Sequence, residues 1–88
     1  MLIPEYKAAF KKDLAKLQRR SKDITKLITV MSMLINEMPL PEKHEDHPLK
    51  GNLDGYRDCH IEPDWVLIYK AGKLHIEFVR TGSHSDLF

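Results

Sequence analysis

Residues 23–38, with the sequence DITKLITVMSMLINEM, carry the strongest structural signal in the chain. Their apolar side chains recur at helical spacing: Ile24, Leu27, Ile28, Met31, Leu34, Ile35 and Met38. This spacing forms one apolar stripe along an α-helix, and the stripe must be buried against another element. Asp23, or Ser21 just before it, supplies the oxygen that caps a helix N-terminus. Pro39 and Pro41 are expected to end the helix.

An earlier apolar stripe predicts a first helix. It consists of Tyr6, Phe10, Leu14 and Leu17, at spacings of four, four and three. A short polar link joins this helix to the next, so the two are expected to form an antiparallel helical hairpin.

The face of the first helix opposite this stripe is basic. Between Lys7 and Lys26 there are eight basic and two acidic residues, although the whole chain carries a net charge of only +1. Such a face suits either a solvated helix surface or the binding of a polyanion or an acidic partner, and both interpretations stay open.

A change to period-two alternation after Gly55 predicts a sheet. The first strand runs through Cys59 and Ile61, the second covers residues 65–69, and the third covers residues 74–79. Short turns separate these strands, so they are expected to be antiparallel neighbours.

Together these elements predict an α+β fold, with an N-terminal antiparallel helical hairpin packed on a small, twisted, mainly antiparallel β-sheet. Leu2 and Ile3 can add an N-terminal edge strand, and a short C-terminal helical turn is expected. The chain is expected to be a single domain, residues 1–88. It has one cysteine, no apolar run long enough for a membrane span and no stretch typical of a signal peptide. We therefore expect a cytoplasmic protein that does not contact a membrane. No cofactor is assigned to it.

The segment between helices and sheet, residues 39–55, is predicted to be an ordered loop. It is rich in Pro, His, Gly, Asn and Asp, and loops of this length in small domains are usually functional or disordered. Leu40, Leu49 and Leu53 can pin it to the core, which favours order.

The strand phase divides the side chains between two faces. If Cys59 and Ile61 face the helices, then Tyr56, Asp58 and His60 point to the opposite face, because side chains alternate along a strand. No second helical layer remains to cover that face. Titratable residues are therefore expected to line an open sheet surface.

Arg80 breaks the apolar pattern of the last strand. It is in phase with Phe78 and would point into the core, where an unpaired arginine is rarely found. A β-bulge or the end of the strand is therefore expected near Arg80. Thr81 and Gly82 would then turn the chain and bring His84 back across the sheet.

Five motifs, in order along the chain, resemble the YafQ branch of the RelE/ParE toxin superfamily. They are Asp46-His47-Pro48-Leu49-Lys50-Gly51, Gly55-Tyr56-Arg57-Asp58-Cys59-His60, Pro63-Asp64-Trp65, Leu67-Ile68-Tyr69, and Arg80-Thr81-Gly82-Ser83-His84 continuing through Leu87-Phe88. The resemblance covers essentially the whole chain. It implies a fold of two helices on a small antiparallel sheet, in agreement with the pattern of helices and strands.

In function, the resemblance implies a bacterial type II toxin that cleaves messenger RNA on the ribosome without a metal ion. The 2′-hydroxyl would attack the adjacent phosphate and leave a 2′,3′-cyclic phosphate and a 5′-hydroxyl end. Such toxins are held inactive by an antitoxin protein, in a complex that commonly represses its own operon. The free toxin is expected to be a monomer, and its basic helix can contact ribosomal RNA or the antitoxin.

The candidate site residues fall into two groups, and among them His47, His60, Asp64, Trp65, His84 and Phe88 match functional positions of the family. The catalytic candidates are His47, His60, Asp64 and His84. The substrate-binding candidates are Lys50, Arg57, Asp58, Trp65, Arg80 and Phe88. No residue is assigned to a metal.

The resemblance also implies separate roles for these groups. His60 and His84 are expected to divide general acid and base catalysis, with His47 as a third candidate. Either Asp64 or Asp58 would orient an imidazole. The planar fork of Arg80 suits a phosphate, and Lys50 would lie close to the phosphates.

Several candidates also have purely structural interpretations. Trp65 and Phe88 can stack on bases, but Trp65 opens an apolar strand and fits the core equally well. Cys59 is expected to be a small core residue. His44 and His75 lie outside the motifs and are expected to be surface residues.

Three alternative functions remain compatible with the sequence. His44 and His47 with Cys59, His60 and Asp64 include ligand types that zinc accepts, although their spacing is not that of a zinc finger. The ParE branch of the superfamily inhibits DNA gyrase without a nuclease site, but it does not need this set of histidines. A degenerate toxin that only binds its antitoxin is the third alternative.

Overall fold

Two helices lie on one face of a five-stranded sheet in the computed structural model, which describes all 88 residues. The strands are β1 (Ile3–Tyr6), β2 (His47–Pro48), β3 (Arg57–Glu62), β4 (Trp65–Ala71) and β5 (His75–Gly82). Their order across the sheet is β1-β5-β4-β3-β2. The helices are α1 (Ala8–Arg19), α2 (Ile24–Ile35) and the short C-terminal α3 (His84–Leu87). The predicted α+β arrangement is confirmed, and no helix has the length and apolarity needed to cross a membrane.

The N-terminal edge strand is confirmed and reaches further along the chain than predicted. β1 pairs with β5 in parallel, with Ile3 opposite His75 and Tyr6 opposite Phe78. Tyr6 therefore belongs to β1, although the apolar stripe had assigned it to the first helix. Its ring stacks on Phe78 at a centroid distance of 5.7 Å. The side chain of Tyr6 therefore contacts the core, although its backbone is extended and not helical.

The N-terminus of α2 is capped as the sequence predicts. Asp23 accepts a hydrogen bond from the backbone N–H of Thr25 at 3.1 Å, so Asp23 and not Ser21 is the cap. Ser21 instead adopts a left-handed conformation (φ 59°) just after α1.

The C-terminus of α2 comes earlier than the two prolines suggested. The helix ends at Ile35. Glu37 takes a left-handed conformation (φ 57°), and the N–H of Met38 donates to the carbonyl of Met33 at 2.9 Å. These bonds satisfy the last carbonyls of the helix, so Met38 is a loop residue.

The core lies between the two helices and the sheet. Phe10 and Leu27 from the helices meet Leu67, Ile76 and Phe78 from the sheet, and each is at most 1% exposed. Full burial of such a side chain contributes roughly 1.5 to 3 kcal/mol. The strands that carry the candidate site are therefore held by a well-packed layer.

The opposite face of the sheet is less open than predicted. Asp58, Val66 and Ile68 point to that face, yet each is at most 3% exposed. The 39–55 segment packs against β3 through a 3₁₀ turn at Glu42–His44, and α3 packs against β5. This segment is ordered, as expected, although it contains the short strand β2, which the loop prediction did not include.

The β-bulge expected near Arg80 is present. Tyr69 pairs with Phe78 and Ile68 pairs with Arg80, so Val79 is the extra residue of β5. The bulge reverses the strand phase. Arg80 is thereby moved from the core side to the face that carries Asp58.

Candidate active site

Four residues form a row across one face of the sheet. His47 on β2 pairs with Asp58 on β3, Asp58 pairs with Ile68 on β4, and Ile68 pairs with Arg80 on β5. Paired residues point to the same face, and adjacent strands lie roughly 4.8 Å apart. The pairing therefore places an imidazole and a guanidinium at the two ends of the row, with a buried carboxylate between them.

His47 contacts acceptors with both ring nitrogens. Nδ1 donates to the carbonyl oxygen of Glu45 at 2.6 Å, because a carbonyl can only accept. Nε2 lies 2.9 Å from Oδ1 of Asp58. That oxygen is buried and has no aligned hydrogen-bond donor, so the contact is an electrostatic pairing. His47 is thus held by the Glu45 carbonyl on one side of its ring and faces the Asp58 carboxyl on the other.

Asp58 is the buried acid at the centre of the site. Desolvation by burial raises the pKa of its carboxyl above the ordinary value, and the nearby histidines His47, His60 and His84 oppose that rise. Burial thus disfavours the carboxylate while the imidazoles stabilise it when protonated. Asp58 is electrostatically coupled to all three candidate histidines.

His60 lies in the next row of the same face, opposite Val66. Its Nδ1 donates to the carbonyl oxygen of Pro63 at 3.3 Å, and Oε2 of Glu45 lies 3.9 Å from the same nitrogen. In the neutral ring the proton therefore sits on Nδ1, and Nε2 is free to accept one. His60 has the tautomer that a general base needs.

His84 approaches this row from the C-terminal helix. It is the first residue of α3, whose N-cap is Ser83. Its ring centroid lies 5.7 Å from that of His60 and 5.3 Å from that of Phe88. The side chain of Phe88 is exposed. Two imidazoles and an aromatic ring accessible to solvent are thus brought together, as expected from the motifs.

Asp64 contacts the backbone of His84 and not an imidazole. Its Oδ1 accepts a hydrogen bond from the N–H of His84 at 3.3 Å. This bond satisfies a free donor at the start of α3. Of the two acids considered for orienting an imidazole, Asp58 is the one in contact with a ring, and Asp64 anchors the helix that carries His84.

The predicted base-stacking role of Trp65 does not agree with its position. The side chain is 2% exposed and belongs to the core. Its Nε1–H donates to Oγ1 of Thr81 at 2.9 Å, and that hydroxyl donates to the carbonyl of Val66 at 3.0 Å. Every polar group of this arrangement is satisfied without substrate. Trp65 supports the β4–β5 pair beneath the site.

The three cationic candidates differ in how many of their donors are already bound within the chain. Nε of Arg57 donates to Oδ1 of Asp46 at 3.2 Å, next to the hydroxyl of Tyr69 on the same oxygen. Arg80 is held by an acid of α1, and Lys50 is exposed and forms no ion pair. Lys50 is therefore free to meet a phosphate, whereas part of each arginine is already engaged.

Sequence reasoning missed two residues that shape the site. Nδ1 of His44 donates to the carbonyl of His60 at 2.6 Å, so His44 holds the loop on β3 and is not a simple surface residue. Glu45, in a left-handed conformation (φ 46°), contacts both His47 and His60. Neither residue lies in an apolar pattern that could have revealed its contact.

Two further predictions concern thiol and metal chemistry. Cys59 is fully buried, and burial raises the pKa of its thiol to about 12, so it is a core residue with no reactive thiolate. No group of three His, Cys, Asp or Glu side chains is arranged to hold a metal ion. The residues near His60 therefore do not fit a preformed zinc site.

Comparison with known proteins matches the chain to a family model over residues 2–88, described as a bacterial toxin of type II toxin–antitoxin system, YafQ. The chain is 49% identical over 85 residues to the mRNA interferase toxin YafQ of Escherichia coli (strain K12), an alignment that covers 96% of this chain and 92% of the relative.

Solved structures agree over the full length. YafQ in the E. coli DinJ-YafQ toxin-antitoxin complex superposes with a TM-score of 0.93 at 48% identity, covering 99% of this chain and 97% of that one. A metal-bound toxin from Helicobacter pylori superposes with a TM-score of 0.94 at 43% identity, with both chains fully covered. The chain described here therefore belongs to the YafQ family of bacterial type II toxins.

Proposed function

We propose that this chain is a toxin that cleaves messenger RNA on the ribosome by acid–base catalysis. The observation that carries the proposal is the approach of the His60 and His84 rings, 5.7 Å apart beside the exposed Phe88. Two imidazoles at this separation can act on the two sides of one phosphate. The mRNA interferase name of the E. coli relative supports the same reaction.

The reaction requires two proton transfers. A base removes the proton of the 2′-hydroxyl, whose oxygen attacks the phosphorus, and the bond from phosphorus to the 5′-oxygen breaks. An acid then protonates the leaving oxygen. His60 suits the base because its Nδ1–H is donated to Pro63 and its Nε2 can accept. His84, whose ring has no partner in a hydrogen bond, suits the acid. Each transfer contributes roughly 10²- to 10⁴-fold.

The surrounding cations would stabilise the negative charge that develops on the phosphate. His47, paired with Asp58, is positioned to carry a proton at the far end of the row. Arg80 offers guanidinium donors, and Lys50 is free at the loop. Phe88, adjacent to the His84 ring, is placed to stack on a base.

The chemistry is proposed to need no metal ion, because protonated imidazoles and a guanidinium supply the positive charge. The Helicobacter pylori relative is described as metal-bound, so the point needs a direct experiment. Cleavage that continues in the presence of a chelator that removes transition metals and leaves magnesium for the ribosome would support the proposal, and cleavage that this chelator abolishes and zinc restores would contradict it.

Two partners are proposed in addition to the messenger RNA. The ribosome would bind the basic face of α1, where Lys11 and Lys12 are exposed and form no ion pair. A cognate antitoxin would neutralise the toxin in a hetero-oligomer, as DinJ accompanies the E. coli relative. The free toxin is proposed to be a monomer in the cytoplasm, where translating ribosomes are found.

The decisive test is the chemistry of the RNA ends. Ribosomes translating a defined message are incubated with the toxin in a magnesium buffer that contains a chelator selective for transition metals, and the fragments are mapped by primer extension and end-labelling. We expect a 2′,3′-cyclic phosphate and a 5′-hydroxyl at each cut. Intact RNA, together with inhibition of DNA supercoiling by gyrase, would instead favour the ParE-like alternative.

A further inference from the structure

Asp13 is the only acidic residue of α1, in a helix that also contains Lys11, Lys12, Lys16 and Arg19. Its side chain is only 14% exposed. It accepts hydrogen bonds from Nε of Arg80 at 2.6 Å and from Nη2 at 3.0 Å, and the backbone N–H of Thr81 adds another at 3.1 Å. No other carboxylate in the chain receives this many aligned donors.

The contact with Thr81 explains why an acid is needed at this point. β1 pairs with β5 only as far as Phe78, so the edge of β5 beyond it has no strand partner. Thr81 is only 1% exposed, and a buried backbone N–H without an acceptor is costly. Asp13 supplies the missing acceptor and joins α1 to the last part of β5, two residues before Ser83 and the start of α3.

The contact with Arg80 leaves one edge of the guanidinium open. A guanidinium has five N–H donors in a rigid fork. Asp13 takes one from Nε and one from Nη2, and the remaining donors have no partner in the chain. Two of these, one on each terminal nitrogen, lie on the terminal edge of the fork, which can bind two oxygens of a phosphate.

Arg80 also shares a face with the acid at the centre of the site. It lies in one row with Ile68 and Asp58, on the strand that leads directly to His84. A guanidinium that rotated freely about its side-chain bonds would meet a phosphate in many orientations. Two bonds to one carboxylate select a single orientation.

We propose that Asp13 is a positioning residue, which fixes the Arg80 guanidinium so that its open edge faces the scissile phosphate. This inference rests on the proposed nuclease function. Asp13 does not touch the substrate and acts only through Arg80 and through the β5 edge that precedes His84.

If Asp13 were only a surface charge, its removal would change RNA binding in the opposite direction. Loss of one negative charge from a basic helix should strengthen the binding of RNA, because more phosphates are neutralised. Loss of a positioning carboxylate should weaken binding and slow cleavage, although the net charge becomes more favourable. The direction of the change therefore decides between the two roles.

The experiment compares Asp13→Asn with Asp23→Asn. Both remove one negative charge from the same helical layer, but Asp23 only caps α2, and Asn caps helices equally well. Cleavage of ribosome-bound message is measured together with Arg80→Ala and the double variant. We expect Asp13→Asn to lower kcat/KM by about 10- to 100-fold, with the double variant no worse than Arg80→Ala. Asp23→Asn should match or exceed the wild type.

A measurement of binding distinguishes failure of this inference from failure of the proposed function. The affinity of toxin for ribosomes carrying a message with 2′-O-methyl groups is measured in the same variants, since these sugars cannot attack. Weaker binding by Asp13→Asn, equal to that of Arg80→Ala, supports the inference even if no variant cleaves RNA. Binding or cleavage by Asp13→Asn that equals that of Asp23→Asn overturns it.

A second variant provides a test that still applies if Asp13→Asn does not fold. Asp13→Glu keeps the charge but adds one methylene, so the guanidinium must shift. Folding is checked by thermal unfolding, and cleavage is measured well below the midpoint. We expect a loss of rate in the folded Asp13→Glu protein, whereas wild-type activity in this variant would show that the orientation of Arg80 is unimportant.

Discussion

Nε2 of His47 lies 2.9 Å from Oδ1 of Asp58, an oxygen that is buried and has no aligned donor. Residues 47 and 58 belong to neighbouring strands, and the pairing closes the 39–55 segment onto the sheet. A buried carboxylate without aligned partners is costly to folding. We therefore expect Asp58 to lower the stability of the fold and to support the imidazole of His47 in catalysis.

The first prediction concerns the pH dependence of stability in Asp58→Asn. Because burial raises the pKa of Asp58 above 3.8, the folded state holds this proton more tightly than the unfolded state. The contribution of Asp58 to the unfolding free energy therefore falls as pH rises from the pKa of the unfolded chain through the higher pKa of the folded one. It stays lower at neutral pH. Urea unfolding at pH 4 and pH 7 should show that Asp58→Asn loses less stability over this range than the wild type.

The same variant should be a poor enzyme. Without the carboxylate, His47 loses its counter-charge, and we expect cleavage to fall by about 10²-fold. Asp54→Asn, on an exposed loop residue, is the matched control and should leave both stability and cleavage unchanged. Full activity of Asp58→Asn would show that the pairing with His47 is dispensable.

A second prediction assigns the acid and the base. His60→Ala and His84→Ala should each lower kcat by roughly 10²- to 10⁴-fold, while His75→Ala, at an exposed position of β5, should not. A message with sulfur in place of the leaving 5′-oxygen needs no acid, because a thiolate leaves unprotonated. This message should restore cleavage by His84→Ala but not by His60→Ala. Restoration of the opposite variant would reverse the roles.

A third prediction distinguishes two roles of Asp64. If its task is to accept the N–H of His84, Asp64→Asn keeps that oxygen and should cleave within about threefold of the wild type, whereas Asp64→Ala should lose about tenfold or more as α3 loosens. If the negative charge of Asp64 instead supports an imidazolium, the two variants should be equally inactive. Single-turnover rates at saturating ribosome concentration decide the question.

A fourth prediction concerns Trp65→Phe. The phenyl ring loses the hydrogen bond to Thr81 and leaves space in the core, so the unfolding free energy should fall by about 1 to 3 kcal/mol. Because the indole does not reach the substrate, the cleavage rate of the folded protein should change little. Chemical denaturation and cleavage at low temperature measure the two effects separately. A stable variant with greatly reduced cleavage would restore the stacking role.

A fifth prediction concerns Phe88, which is 56% exposed beside His84. Phe88→Ala should weaken binding of the message by roughly 1 to 3 kcal/mol, the range for one stacked base, without a change in the unfolding free energy. Phe88→Tyr keeps the ring and is the control that should bind as the wild type does. Equal binding by all three proteins would place the ring outside the substrate path.

Much of the fold was predictable because its signals are local. The apolar stripe of residues 24–35 and the alternation around Cys59 reflect helical and strand periodicity, which depends only on neighbouring residues. The bulge near Arg80 followed from one energetic rule, that an unpaired guanidinium is not buried. Helix ends were less predictable, since α2 closes through the left-handed Glu37 before Pro39 is reached.

The sequence by itself determined the two helices, the three consecutive antiparallel strands and the set of histidines that its motifs singled out. Tertiary structure decided which side chains meet. Asp13 and Arg80 are 67 positions apart, and His44 and His60 are 16 apart. Such contacts depend on strand register and helix packing, which no local pattern encodes. For the same reason the burial of Trp65 became evident only in the folded chain.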